Sequence, residues 1–255
     1  PMASIPLEWQ AALGGPALTG WCCGPSIVYR TSQGPAAYAF DPDRLGRENP
    51  VPASALVYYP LDHPTLGPWR TPSPWPPVVG QGENHVYNGT VEINGLAFPE
   101  GTRSVLFFGI VGHGVFCYGD STNDLSLIYT AVTPDGLTRR CVLRPGPPQG
   151  HSYFSIDAAN PGALAPMHFQ VWAYDALDLA KVKAGTLQPW DVRPYAYWAL
   201  RAPGLEIPLA YGMQGQTVSS YGSKGVAHDA ARQRIYMYQS VGSEAVIRVF
   251  QVRVP

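Results

Sequence analysis

The sequence is short of charged residues and of long apolar runs. Asp, Glu, Lys and Arg make up 14% of its 255 residues, against about a quarter in a typical soluble domain. The net charge is −1 and no basic stripe is present, so counterion release gives no basis for nucleic-acid binding. No apolar run has the length of a membrane-spanning helix. We therefore expect neither a nucleic-acid partner nor a membrane span.

The sequence also lacks the common signatures of catalysis and cofactor binding. It contains no G-x-S-x-G, no H-E-x-x-H, no P-loop and no dinucleotide-binding fingerprint. It contains no C-x-x-C pair, so a zinc site is not expected. The sequence predicts no cofactor and no metal, and it favours a protein without catalytic activity while leaving that question open.

Glycine, proline and aromatic residues are abundant. There are 27 glycines, 27 prolines and 15 tyrosines, and aromatic residues make up 12% of the chain. Many turns, few charges and an ample apolar fraction are typical of an all-β protein with a packed core and exclude a disordered chain. This composition indicates a secreted protein, either extracellular or periplasmic. The chain begins with Pro1 rather than Met, which indicates a processed, cleaved or artificially chosen N-terminus; a leader that once preceded it is one explanation.

Two pairs of segments resemble each other at nearly the same spacing. The segment 95–108 is echoed at 225–238, an offset of 130, and 39–45 is echoed at 173–179, an offset of 134. Each member of the first pair reads as strand, turn and strand. Repeated hairpins predict a β-propeller of about four or five blades, or a sector of a larger one. We expect one all-β domain over 1–255 with an irregular or short helical lead-in of about 20 residues; a β-sandwich is the alternative.

The members of the second pair each place an aspartate at the start of a turn. Asp41 and Asp175 occupy equivalent positions in the two copies. Aspartates at such positions commonly accept hydrogen bonds from backbone N–H groups. We therefore expect both to be structural.

Several segments together resemble a group of exported bacterial propeller-like proteins of unassigned function. The matching segments cover most of the chain: 5–10, 13–17, 22–23, 63–69, 101–109 and 171–175. The resemblance implies an extracellular location, repeated β-blades and further repeats upstream. It carries no known chemistry, so it assigns no catalytic residue.

The four cysteines form two groups. Cys117 and Cys141 lie on neighbouring predicted strands, where a disulfide would stabilise the fold by roughly 3 kcal/mol; two buried thiols are the alternative. Cys22 and Cys23 are adjacent and follow Trp21. A vicinal disulfide there would make a flat apolar plate for a sugar or another ring, whereas two separate thiols, or one paired elsewhere, would not.

Histidine, acidic and tryptophan side chains supply the remaining ligand-binding candidates. In an extended segment Glu83 and His85 would share one face, so that the carboxylate could orient the ring. The others lie in turns or loops: His113, the pair His228-Asp229, and Trp69. Each of them has a plain alternative as a solvated polar turn or as aromatic packing between sheets.

These features favour an extracellular, non-catalytic binding or surface-interaction module of propeller type with an unknown ligand. A glycan or a protein is the expected partner. A carbohydrate-active hydrolase or lyase using carboxylates near Glu83, Glu100 or Asp229 is the first alternative. A self-assembling structural component is the second, because low charge and exposed sheet edges favour association.

Overall fold

The computed structural model describes residues 1–20, 32, 34–60, 91–112, 167–200, 223–241 and 244–253, together with the backbone of four strands between 115 and 156. Within this part the chain is mostly β, with two α-helices and four open sheets. None of its helices is both long and apolar enough to cross a membrane. The prediction of an all-β protein is confirmed at this level.

The first sheet is an antiparallel meander in chain order, β1-β2-β3-β4. Its strands are β1 (Met2–Ser4), β2 (Ala17–Thr19), β3 (Ala37–Phe40) and β4 (Ala53–Val57). Helix α1 (Leu7–Leu13) connects β1 to β2 and ends at Gly14, which adopts a left-handed conformation that glycine accommodates without strain. The predicted helix near the N-terminus is confirmed. The strands on either side of it were not predicted.

The second sheet repeats this plan with the order β5-β6-β11-β12. Its strands are β5 (Glu92–Ala97), β6 (Ser104–Gly112), β11 (Met167–Asp175) and β12 (Ala196–Ala199), with α2 (Ala176–Lys183) between the last two. The chain between β6 and β11 forms a separate inserted sheet of order β10-β7-β9-β8. Its strands are β7 (Val115–Asp120), β8 (Tyr129–Val132), β9 (Arg139–Val142) and β10 (His151–Ile156). Strands β8 and β9 pair antiparallel, in agreement with the sequence Pro134-Asp135-Gly136 between them, which is typical of a hairpin turn.

The third sheet is a three-stranded antiparallel meander of order β13-β14-β15. Its strands are β13 (Ser223–Asp229), β14 (Arg234–Val241) and β15 (Glu244–Gln251). From Ala245 onwards, residues along β15 alternate between exposed and half-buried, as expected for a strand with one covered face. Among the described residues β15 pairs with β14 alone.

The three meanders are stacked, with the second sheet in the middle. One buried cluster joins the first sheet to one face of the second, through residues such as Leu18, Phe107 and Trp172. Another joins the opposite face of the second sheet to the third, through residues such as Phe108 and Met237. Adjacent side chains of a strand point to opposite faces, so Phe107 and Phe108 belong to different cores.

The strand pairings of the three sheets match in register, and this match allows equivalent positions to be compared. In each sheet an alanine of the first strand begins a row of directly paired residues: Ala3-Leu18-Ala39, Ala97-Leu106-Ala173 and Ala227-Tyr236-Val249. When the sheets are aligned on these rows, 95–108 corresponds to 225–238 and 39–45 corresponds to 173–179. These are the two pairs of similar segments found in the sequence. We call the face that carries this row the forward face, because in the first two sheets it packs against the next sheet. The opposite face is the rear face.

The two equivalent aspartates cap the segments that follow them. Asp41 Oδ1 accepts a hydrogen bond of 3.0 Å from the backbone N–H of Asp43 at the start of a 3₁₀ turn. Asp175 Oδ1 accepts one of 2.9 Å from the backbone N–H of Leu177 at the start of α2. The prediction that both are structural is confirmed, since each carboxylate holds backbone donors that would otherwise lack a partner.

The two cysteines of the inserted sheet lie on adjacent strands, Cys117 on β7 and Cys141 on β9. These strands run parallel, with Tyr118 opposite Arg140. Cys117 therefore precedes this residue pair by one position and Cys141 follows it by one, so the two cysteines are staggered by two residues along the strands. Strand spacing puts their Cα atoms about 8 Å apart, which is more than a disulfide spans without backbone movement. Their side chains lie outside the described residues, so the disulfide stays a prediction that this register does not favour.

Candidate functional site

A cavity of about 480 Å³ opens where the first strands of the three sheets converge. Three segments form its walls: residues 2–7 with Gln10, residues 96–98 with Glu100, and residues 226–228 with Ala230. The first strands are close neighbours, since β5 contacts both β1 and β13. Its volume lies within the range of small-ligand sites, about 300–1,000 Å³.

Residues at matching register positions of the three sheets form the central part of the wall. The residue after the row-forming alanine is Ser4 in the first sheet, Phe98 in the second and His228 in the third, and all three line the cavity. Phe98 is buried and lies 6.3 Å from the ring of Trp9. The indole N–H of Trp9 donates to the carbonyl of Thr102 at 3.2 Å, so α1 is fixed against the turn between β5 and β6.

Of the two polar residues at this position, His228 is half-buried and Ser4 is exposed. Strand pairing places His228 opposite Ile235, on the face of the third sheet that packs against the second. Its Nε2 atom is buried and has no hydrogen-bond partner among the described residues. Burial lowers the pKa of His228 below its usual value of 6.5, while the negative charges of Glu100 and Asp229 act in the opposite direction. The ring is therefore neutral at pH 7, and its buried Nε2 lacks a partner among the described residues at the wall of the cavity.

Asp229, predicted together with His228, has a different role. Its Oδ1 accepts a hydrogen bond of 3.1 Å from the backbone N–H of Arg232, and its Oδ2 lies 3.0 Å from a guanidinium nitrogen of the same residue. These hydrogen bonds lower the pKa of Asp229. The carboxylate thus holds the turn between β13 and β14, and it is not among the residues lining the cavity.

The other polar groups near the cavity are few. Glu100 is exposed and is the only carboxylate among the described lining residues. Glu92, the other acid near an inner strand, is buried and accepts a hydrogen bond of 3.0 Å from the side-chain amide of Asn94. Gln10 donates to the carbonyl of Ile5 at 2.9 Å. The described wall therefore combines apolar surface with the hydroxyl group of Ser4, the imidazole of His228 and the carboxylate of Glu100.

Most of the sequence-predicted site residues lie outside the described residues: Trp21, Cys22, Cys23, Trp69, Glu83, His85 and His113. Their roles stay predictions. Of the predicted set, the structure brings His228 to the cavity. The apolar wall was missed, although the echo that aligns Phe98 with His228 was the signal that could have identified it.

The lowered pKa of His228 predicts a pH dependence of stability. Between the folded pKa and 6.5 the unfolded chain binds more protons than the folded chain, so the free energy of unfolding rises with pH. The contribution is complete above pH 6.5 and decreases as the pH falls through that window. We expect His228→Gln to reduce the stability difference between pH 7.5 and pH 5.5 in urea unfolding. Equal differences in the two proteins would contradict this assignment.

Comparison with known protein families, with curated proteins and with solved structures found no match.

Proposed function

We propose that this protein is a non-catalytic, extracellular binding module of propeller type, and that its ligand site is the cavity at the inner strands. The observation that carries the proposal is the unpartnered, buried Nε2 of His228 at the wall of that cavity. Buried polar groups almost always have a partner, so a ligand group is expected to complete this one. Membership in the exported propeller-like group is part of the same proposal.

The arrangement of the sheets supports a propeller rather than a sandwich. Contacts between neighbouring sheets involve the first strands, with β5 touching β1 and β13. Towards the outer strands, α2 lies beside both β4 and β11. Sheets that meet at their inner strands and are separated further out have the wedge arrangement of blades around an axis. We therefore propose that the three sheets are a propeller sector with the cavity at its centre.

The chemistry of the wall favours a small neutral ligand with one apolar face and several hydroxyl groups, such as a sugar. Phe98, Leu96 and Val226 supply apolar contact. The neutral ring of His228 can accept a hydrogen bond from a hydroxyl group or donate one to it, depending on its tautomer. The carboxylate of Glu100 can accept hydrogen bonds at the same cavity. Polar and apolar surface are both well represented in the wall, which suits a ligand that carries hydroxyl groups and an apolar face.

The test is a thermal-shift screen against a panel of neutral mono- and disaccharides, followed by calorimetry on any sugar that binds. A sugar present at a hundredfold its Kd should stabilise the protein by about 2.7 kcal/mol. Glu100→Gln and His228→Ala should weaken binding at least tenfold. The matched control is Glu8→Gln, which removes an exposed carboxylate of α1 outside the cavity, and its affinity should be unchanged. A sugar that binds all variants equally would place the site elsewhere, and a panel without a binder would overturn the ligand class.

The hydrolase alternative has less support from the described residues. Such enzymes use two carboxyl groups about 5 to 10 Å apart, and Glu100 is the only carboxylate among the described residues of the wall. Turnover of a bound sugar that is lost in Glu100→Gln, with affinity retained, would favour the enzyme over the binding module.

A further inference from the structure

The third sheet exposes the forward face that its two predecessors bury. In the second sheet the forward positions Phe108 and Val171 are 3% and 1% exposed under the third sheet. The equivalent residues of the third sheet, Tyr238 and Ile247, are 37% and 56% exposed. Val249 on the same face is 53% exposed. Large apolar side chains at positions built to receive another sheet indicate an interface without its partner.

The first sheet exposes the complementary face. Its rear row is Met2-Thr19-Tyr38, equivalent to Leu96-Phe107-Trp172 of the second sheet. In the second sheet this row packs against the first. In the first sheet Met2 is 66% exposed, and Thr19 and Tyr38 are half-buried. Among the described residues, the stack therefore has an uncovered forward face on its third sheet and an uncovered rear face on its first.

We propose that a second copy of this chain packs the rear face of its first sheet onto the forward face of the third sheet. The contact would repeat the two interfaces that already join the three sheets within one chain. It is heterologous, because different surfaces meet on the two copies. Two copies contain six sheets of this kind. They would close into a ring if the rotation from each sheet to the next suits a ring of six; with any other rotation, longer assemblies would form. The two proposed faces reach the margin of the cavity, since Met2 of the rear row and Ala227 of the forward row both line it. Association is therefore measured without any added ligand.

The experiment is sedimentation velocity of the full chain between 1 and 200 µM. We expect mass to increase with concentration. A forward variant, Tyr238→Ser with Ile247→Ser, should remain monomeric, and so should a rear variant, Met2→Ser with Tyr38→Ser. Both variants alter exposed or half-buried side chains, so both should still fold as monomers, with a moderate loss of stability in the rear variant. Ile247→Ser alone replaces the forward variant, and Met2→Ser alone the rear variant, if the double variant is unstable.

Mixing the two variants decides the geometry. The rear variant keeps a native forward face and the forward variant keeps a native rear face, so an equimolar mixture should form a one-to-one complex although neither associates alone. Self-association of the rear variant would overturn the proposal, because it would mean that forward faces pair with each other. A wild-type protein that stays monomeric at 200 µM would also overturn it and would assign the forward face to a different partner.

Discussion

Gly95→Ala should destabilise the protein by about 1–3 kcal/mol, the usual range for overpacking a filled core. Gly95 lies on the forward face of the second sheet, under the third sheet. A Cβ added there would lie 2.2 Å from Cγ2 of Val226, well inside van der Waals contact. Valine has little rotamer freedom with which to move away, so the two sheets must separate. Urea unfolding of the wild type and the variant measures the loss.

The control is Gly225, which occupies in the third sheet the register position that Gly95 occupies in the second. A Cβ added at Gly225 meets no atom within 4 Å, so Gly225→Ala should change stability by no more than about 0.5 kcal/mol. Val226→Ala should partly restore Gly95→Ala, with a coupling of about 0.5–3 kcal/mol in the double-mutant cycle. Equal losses at the two glycines, or no coupling to Val226, would show that the third sheet does not pack on the second in this way.

Trp172→Ala should cost about 3–5 kcal/mol, the largest loss expected from a single change in this chain. Trp172 is fully buried on the rear face of the second sheet, inside the core shared with the first sheet. Its neighbours there include Phe107 and Tyr197, its direct partners on the adjacent strands. Removing the indole leaves a cavity among residues fixed by strand pairing on both sides, and such a cavity collapses only in part.

Tyr38 is the counterpart of Trp172 in the first sheet and provides the matched comparison. It is half-buried on a face with no sheet packed on it among the described residues, so Tyr38→Ala should cost about 1 kcal/mol, near the centre of the distribution for point substitutions. Unfolding should be followed at 1 µM, where association through this face does not contribute. A loss at Tyr38 as large as that at Trp172 would mean that the rear face of the first sheet is covered.

The sequence predicted the elements of this fold better than their arrangement. The hairpins at 95–108 and 225–238 carry their own turn and strand signals, and the aspartates that cap the following segments are local features as well. Residues that form β1 and β2 are too few to show an alternating pattern, since each strand has three residues. Their strand conformation depends on the pairing of β1 with β2 and of β2 with β3, contacts that sequence periodicity does not record.

The candidate site was only partly visible in the sequence. His228 stood out because it replaces an apolar residue of the other copy, Phe98. That its Nε2 lies unpartnered beside a cavity depends on how three strands from distant parts of the chain converge. Asp229 was grouped with it by adjacency, yet neighbouring residues of a strand point to opposite faces. The acid therefore holds the turn while the imidazole faces the cavity.

The chain leaves the second sheet for the inserted sheet, and returns from it, at adjacent positions. Strands β6 and β11 pair along their whole length, up to Gly112 opposite Met167, so the chain departs and returns at adjacent positions. Segments attached in this way can change in length without altering the element that carries them. Strands β7 to β10 are thus a branch on the second sheet. Relatives of this protein could gain, lose or exchange it while the three-sheet stack and its cavity stay the same.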